Sequence, residues 1–391
     1  MHRTKTTLYD TIDRHSSSWK QIALQIGSNP ELGSEEYRSS ALLADELQRH
    51  GFQVERGTLG IQTAFIGIYD SGKPGPAAAF LCEYDALPDL GHACGHHLIG
   101  TMGIAAAIGL KSVIGDTGGS IRVYGTPAEE TKGAKVPMSE AGLFDDCGFA
   151  LMAHPYYVHE KSSSSLALDA LQVQFYGRSA HAAANPHQGI NALDAVIQLF
   201  NSINALRQQT RSDARIHGII DHGGSAPNII PDYASAKFYI RSANRAYTDE
   251  LTAKVMDCAR GAAMQTGCRL ETSNYEYSYD ELRTNETLSG LYTANLLENG
   301  VAEEEIRSAA DHGSLSLDLG NVSLRCPSIH PYLKITDERY MLHTVEFRDA
   351  AMKEQALESM IFGAKMLAAT AYDVLADPSL YEQVRSEFNG E

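Results

Sequence analysis

The stretch LCEYDALPDLGHACGHH, residues 81–97, constrains the fold of this chain more than any other. A short apolar run, Ala77 to Leu81, leads into it and predicts a buried strand. Thiol, carboxylate and imidazole side chains crowd the end of that strand: Cys82, Glu83, Asp85, Cys94, His96 and His97. These are metal-binding side chains, so the stretch predicts a metal site at the end of a strand.

Two further predicted strands end in the same kinds of side chain. Ser120–Tyr124 is followed by Glu129 and Glu130, and Phe149–Ala153 is followed by His154. Open α/β sheets place their sites just beyond the carboxyl ends of their strands. We therefore expect the three clusters to form one site. Cysteine, histidine and glutamate together suit Zn²⁺, Co²⁺ or Mn²⁺, and a thiolate favours zinc.

Each cluster alone has an ordinary interpretation. A buried cysteine usually packs as a small apolar residue, a glutamate pair is usually solvated, and a lone histidine is usually structural. Their joint position at strand ends favours a site. One carboxylate of the pair can then bind metal while the other acts as a general base on water. The residues themselves do not decide which of Glu129 and Glu130 has which role.

The order of the predicted elements divides the chain. Alternating strands and helices up to about residue 166 predict an α/β domain with a mostly parallel sheet. The order then becomes strand-helix-strand-strand-helix-strand, which is typical of a ferredoxin-like α+β unit. We expect a discontinuous catalytic domain, residues 1–166 and 281–391, with the ferredoxin-like domain, residues 167–280, inserted in it.

Charge and composition exclude several classes of partner. The chain has 391 residues and a net charge of −17, which repels nucleic acid and anionic membranes. It has no apolar run of roughly 18 residues, and its N-terminal segment has no apolar core, so we expect neither a membrane span nor a secretory signal. The six cysteines show no disulfide pattern. These features favour a protein of the reducing cytoplasm.

The motifs together resemble a known family. They are EYDALPDLGHACGHH, GTPAEE, MAHP, GRSAHAAANPHQGINALDA, GGSAPNIIPD and LHTVEF, in this order. The chain resembles the two-domain metallo-amidohydrolases that include aminoacylases, carboxypeptidase G-type enzymes and auxin-conjugate hydrolases. It is most similar to the cysteine-ligand branch of aminobenzoyl-glutamate and β-alanyl-dipeptide hydrolases. The resemblance implies hydrolysis of the amide bond of an N-acyl amino acid, or of a dipeptide-like substrate with a free carboxylate.

The resemblance also implies roles for individual residues. Two divalent metal ions, zinc, manganese or cobalt, would be held by Cys94, His96, Glu130, His154 and His343. Glu129 would be the general base, and His181 of the inserted domain would stabilise the oxyanion. Asn228 and Arg241 would hold the substrate carboxylate. The inserted domain would act as a lid and join two subunits into a homodimer.

The chain departs from the family at two places. Peptidase relatives carry His-x-Asp where this chain has Glu83 and Asp85, which shifts metal binding toward Cys94. Many relatives carry Asp or Asn at the position of His97, so this residue could support a ligand, be an extra ligand, or be a local variant. Three further histidines receive no role: His92, His312 and His330.

Other functions also fit parts of the pattern. A carboxypeptidase or dipeptidase could use the same site. A cysteine-nucleophile hydrolase could be built on Cys94 and a nearby histidine, and it would survive a chelator. A non-catalytic binding protein is the third alternative, but it has no chemical need for the adjacent Glu129 and Glu130.

Overall fold

The computed structural model describes residues 2–308 and 315–391, which divide into two compact units. The first comprises residues 2–164, 282–308 and 318–391, and the second comprises residues 165–281 and 315–317. The predicted boundaries, 166/167 and 280/281, differ from these by one or two residues. The prediction did not assign the segment 315–317 to the insert.

The first unit contains most of the helices and most of the strands of the described residues. The chain begins with α1 His2–Arg14, α2 Ser16–Gly27, α3 Tyr37–Arg49, β1 Gln53–Arg56, β2 Phe65–Asp70, β3 Ala77–Cys82, α4 His96–Lys111, α5 Ile114–Thr117, β4 Ser120–Gly125, α6 Lys135–Glu140, β5 Phe149–Leu151, β6 His154–Tyr156 and β7 His159–Glu160. The second unit follows with β8 Ala167–Tyr176, α7 Ala192–Leu206, β9 Arg215–His222, β10 Tyr233–Ser242, α8 Arg245–Thr266 and β11 Arg269–Asn274. The first unit resumes with α9 Glu286–Glu298, β12 Ile306–Arg307, α10 Leu319–Ser323, β13 Ser328–Ile329, β14 Tyr332–Lys334, α11 Val345–Ala351, α12 Glu354–Ala376 and α13 Pro378–Asn389.

The central sheet of the first unit has the strand order β1-β2-β4-β3-β5-β13. Strands β4, β3, β5 and β13 are parallel neighbours, whereas β2 pairs antiparallel with both β1 and β4. The predicted mostly parallel α/β sheet is thereby confirmed. Cys82 lies opposite Gly125, and Phe80 lies opposite Leu151. The carboxyl ends of three strands therefore meet at one edge of the sheet.

Helix α4 fixes the position of that edge. Every residue from His96 to Leu110 is buried, because the helix packs against β3 and against α12, α1 and α2. A helix that is apolar on all sides belongs in a core. Helix α4 begins at His96, since Gly95 takes the left-handed conformation (φ 79°) that ends the preceding turn.

The second unit has the strand order β11-β8-β10-β9, with every pair antiparallel. Helices α7 and α8 pack on one face of this sheet. The first turns of both helices are capped by asparagine side chains, Asn191 for α7 and Asn244 for α8. This arrangement confirms the predicted ferredoxin-like unit. Within the described residues of both units, no helix combines the length and apolarity needed to cross a membrane.

Two glycines of α4 allow it to approach β3 closely. A Cβ at Gly100 would lie 2.7 Å from the backbone oxygen of Glu83, and one at Gly103 would lie 2.5 Å from Cys82 Sγ.

Gly290, in the exposed face of α9, has open space around it. We expect Gly100→Ala to lower the free energy of unfolding by about 1–3 kcal/mol through overpacking. Gly290→Ala should raise it by about 0.5–1 kcal/mol. Urea unfolding measures the free energy of unfolding of both variants, and equal changes in the two variants would contradict the prediction.

Candidate metal centre

His96, in the first turn of α4, is oriented by Asp85. Asp85 Oδ1 lies 2.8 Å from His96 Nδ1. Because an ionised carboxylate can only accept, Nδ1–H of His96 is the donor of this hydrogen bond. The other ring nitrogen, Nε2, is buried without a hydrogen-bond partner among the described residues. A buried polar atom of this kind calls for a partner. A histidine that donates from one nitrogen to a carboxylate presents the other to a metal ion.

Glu129 and Glu130 lie in the loop after β4. Glu129 Oε2 and Glu130 Oε1 are each 3.9 Å from His96 Nε2. The backbone N–H of Glu130 donates to Asp85 Oδ2 at 2.9 Å, so the same carboxylate orients both the imidazole and this loop. Ala128 takes a left-handed conformation (φ 63°), and its N–H donates to buried Glu36 at 2.8 Å. The loop is therefore held by the protein itself.

Cys94 and His154 face each other beside this group. Cys94 Sγ lies 3.4 Å from His154 Nε2, and both side chains are buried. His154 Nδ1 lies 2.9 Å from the backbone oxygen of Pro155, so Nδ1 donates and Nε2 is free to bind. Burial raises the pKa of the Cys94 thiol well above its ordinary value. Burial also lowers the pKa of His154 to about 3, which favours the neutral imidazole that metal ions require.

His343 completes the cluster from a distant part of the sequence. It precedes α11, has a left-handed backbone (φ 62°), and donates its N–H to the Ala93 oxygen at 2.9 Å. Its Nε2 lies 3.2 Å from Glu130 Oε1, although half of its side chain is exposed. This contact raises the pKa of His343. Burial works against ionisation of Glu130, but His343 lowers the pKa of Glu130 to about 2.

The structure thus brings together the five metal ligands that the family resemblance implies. Three overlapping groups each have their ligand atoms within 4.8 Å: Cys94, His96 and His154; Cys94, Glu130 and His343; and His96, Glu129 and Glu130. The overlap suits neighbouring cations that share ligands. Imidazole nitrogen, thiolate and carboxylate are the donors that zinc, manganese and cobalt take. These residues therefore fit a divalent metal centre.

Sequence reasoning missed the charged group behind this cluster. Lys135 is fully buried, and its Nζ lies 2.6 Å from Glu83 Oε1 and 2.7 Å from Asp318 Oδ1. Lys135 and Asp318 are 183 residues apart. No local pattern in the sequence marks such a pair. Asp85, which the sequence analysis named among the metal-binding side chains, has the contacts of a residue that orients a ligand.

The remaining histidines lie outside the three ligand groups. His97 is buried, its Nε2 lies 3.2 Å from the Ala351 oxygen, and its ring lies 5.0 Å from that of His92. Burial lowers the pKa of His97 to about 4. The ring of His330 lies 5.4 Å from that of His154. His312 falls outside the described residues.

The second unit holds the other predicted site residues. His181 is exposed, and its Nδ1 accepts hydrogen bonds from the N–H groups of Ala183 and Ala184 at 3.3 and 3.2 Å. The ring proton of neutral His181 therefore lies on Nε2, which is available as a donor. Asn228 is adjacent, since its backbone oxygen accepts from the Ala182 N–H at 3.0 Å.

Arg241 lies near the end of β10 in the same unit. Its Nη1 donates to Ser316 Oγ at 3.0 Å, and its guanidinium carbon lies 5.3 Å from the centre of the Tyr239 ring. Tyr239 is held in turn by its hydroxyl, which donates to Glu276. Arg241 Nε is buried and has no partner among the described residues. This guanidinium is fixed in position and retains capacity to bind an anion.

Comparison with known proteins identifies the family. Residues 166–266 match the peptidase dimerisation domain. The chain is 38% identical to the Xaa-Arg dipeptidase of Mus musculus, over 97% of this chain and 90% of that protein. The chain belongs to the M20 peptidase family. It is also 30% identical to one of the subunits of the p-aminobenzoyl-glutamate hydrolase of Escherichia coli, over 97% of this chain and 93% of that protein.

A solved structure of the family has the same fold. It is the YXEP protein of Bacillus subtilis, described as a dinuclear metal binding peptidase, with a TM-score of 0.65 and 17% identity over 93% of this chain and 99% of that one. The resemblance drawn from the motifs is thereby confirmed. The chain is a hydrolase of amide bonds.

Proposed function

We propose that this chain is a two-metal amidohydrolase that cleaves an N-acyl amino acid or a dipeptide-like substrate with a free carboxylate. The observation that carries the proposal is the overlap of three ligand groups, one of which contains both Glu129 and Glu130. When Glu130 binds metal, Glu129 remains for proton transfer. The Xaa-Arg dipeptidase and the aminobenzoyl-glutamate hydrolase among its relatives support the same bond type. The Xaa-Arg dipeptidase favours one alternative, in which the same site cleaves dipeptides.

Cys94, His96, Glu130, His154 and His343 would hold two divalent ions, zinc, manganese or cobalt. Ions bound there supply Lewis acidity that activates water and polarises the scissile carbonyl. Glu129 accepts a proton from the attacking water and delivers it to the leaving amine. Burial and the charges of Glu83 and Glu130 raise the pKa of Glu129 well above its ordinary value, which makes it a stronger base once ionised.

The second unit supplies the groups that recognise the substrate. His181 Nε2–H donates to the oxygen of the tetrahedral intermediate, since its Nδ1 is already occupied by backbone donors. Arg241 and Asn228 bind the free carboxylate. The fixed guanidinium of Arg241 favours this role, because less entropy is lost when a held side chain binds.

We also propose a homodimer formed through the second unit, which the match to the peptidase dimerisation domain supports. Strand β9 is an edge strand, and it exposes Ile219 and Ile220. Exposed apolar edge strands pair readily with a second chain. All six cysteines are free, which suits the reducing cytoplasm that we propose as its location.

Glu129→Gln should abolish hydrolysis and retain the metal. General-base catalysis is worth about 10²–10⁴-fold, so the turnover number should fall by at least about 100-fold. Metal content by mass spectrometry should equal that of the wild type. Glu140→Gln, at an exposed glutamate of α6, is the matched control and should be fully active. Retained turnover in Glu129→Gln would refute the proposed base.

Cys94→Ala should lose metal, and Cys147→Ala should not. Both cysteines are buried, but Cys147 contacts the Tyr124 hydroxyl and belongs to none of the ligand groups. Metal analysis of both purified variants measures the difference. A chelator should also inactivate the wild type. A cysteine-nucleophile hydrolase would survive the chelator, but burial disfavours the thiolate that such an enzyme needs.

Arg241→Ala should raise the KM for a free-acid substrate and leave the KM for its carboxamide analogue nearly unchanged. Hydrogen bonds to a charged group are worth about 1.5–3 kcal/mol, which corresponds to roughly 10–100-fold in KM. Arg215→Ala is the control, because Arg215 lies opposite Arg241 on β9 and is exposed. A wild-type preference for the free acid that persists in Arg241→Ala would exclude Arg241 as the carboxylate-binding residue.

A further inference from the structure

Lys135 forms a buried ion cluster directly behind the metal centre. Its ammonium contacts Glu83 Oε1 at 2.6 Å and Asp318 Oδ1 at 2.7 Å, and all three side chains are buried. The Lys135 backbone N–H also lies 3.3 Å from Asp318 Oδ2. Buried charges are stable only when they are paired and hydrogen-bonded. Lys135 thus accounts for the presence of both carboxylates in the core.

Glu83 faces the metal centre with its second oxygen. Glu83 Oε2 lies 3.5 Å from His96 Nε2, closer than the 3.9 Å of Glu129 Oε2 or Glu130 Oε1. Glu83 nevertheless belongs to none of the three ligand groups found among the described residues. A carboxylate next to a bare imidazole nitrogen is an obvious candidate for a cation ligand. Its first oxygen, however, is already bound by Lys135.

The charge of Lys135 acts on Glu83 strongly. The ammonium of Lys135 and the carboxylate of Glu83 form an ion pair whose side chains are 0% and 3% exposed. A carboxylate held in this way cannot turn toward a cation without breaking a buried ion pair. One more anionic ligand would reduce the positive charge that cations offer to water. The ion pair of Lys135 with Glu83 therefore affects which groups bind the metal ions, as well as the stability of the fold.

We propose that Lys135 is a positioning residue that keeps Glu83 off the metal ions, so that Cys94 and the other ligand candidates bind them alone. The inference rests on the proposed function in one respect: that the cations bind at His96. It assigns a role to Lys135, Glu83 and Asp318, which take no part in the proton transfer described above.

Two charge-matched double variants test the role. Lys135→Met/Asp318→Asn leaves Glu83 free, and Glu83→Gln/Lys135→Met removes its carboxylate. Each removes one charge of each sign, so the net charge stays that of the wild type. Competition with a chromogenic chelator measures the Zn²⁺ affinity of each metal-stripped protein, and chemical unfolding shows that each one folds.

The first variant should bind Zn²⁺ about tenfold more tightly and turn over more slowly, because the freed Glu83 joins the ligands. The second should stay within about threefold of the wild type. Loss of packing alone would weaken binding in both, so equal affinities, or weaker binding by the first, would overturn the inference. The single variant Glu83→Gln should still bind the wild-type number of ions, and loss of an ion would show that Glu83 is a ligand.

The wild type separates failure of this inference from failure of the proposed function. If the proposed metal centre is wrong, the metal-stripped wild type will not bind Zn²⁺ tightly at all. If only the role of Lys135 is wrong, the wild type will bind Zn²⁺ and the two double variants will not differ.

Discussion

The carboxylate of Asp85 is the constraint on which the metal centre depends. One oxygen fixes the imidazole of His96 at the start of α4, and the other holds the backbone N–H of Glu130 after β4. The start of α4 and the loop after β4, which follow different strands, are thereby both fixed by one carboxylate. Because the ligand atoms of both segments are set by the same carboxylate, their separation does not depend on flexible side chains. The parallel pairing of β3 and β4 brings the two segments within its reach.

Crowding of negative charge accompanies this arrangement. Glu83, Asp85, Glu129 and Glu130 lie around one imidazole, and like charges in a core repel strongly. The protein offsets part of this repulsion itself, through Lys135 behind the centre and His343 in front of it. Glu129 Oε2 lies 3.9 Å from His96 Nε2, but burial together with the neighbouring carboxylates raises the pKa of Glu129. The carboxylate whose pKa is raised in this way is the one whose proposed role is to exchange a proton.

Much of this could be predicted from sequence, because the decisive signals are local. Apolar runs that end in Cys94 and His96, in Glu129 and Glu130, or in His154 mark strand ends, and parallel pairing brings strand ends together. His343 follows no such run, and only the family resemblance pointed to it. His154 itself lies in β6, part of a small sheet β12-β7-β14-β6 whose strands have two or three residues, too few to show periodicity. The ion pair of Lys135 with Asp318 is invisible for a different reason, since it joins segments far apart in sequence.

Two strained residues show how firmly the fold holds the centre. Ala128 and His343 both have left-handed backbones although neither is glycine, a conformation that costs on the order of 1–3 kcal/mol each. Each N–H is satisfied by a buried or backbone acceptor, Glu36 for Ala128 and Ala93 for His343. Ala128 directly precedes Glu129 and Glu130, and His343 Nε2 lies 3.2 Å from Glu130 Oε1. Relaxed backbones would avoid that strain, so its presence in both segments indicates that the rest of the fold stabilises the geometry of the centre against it.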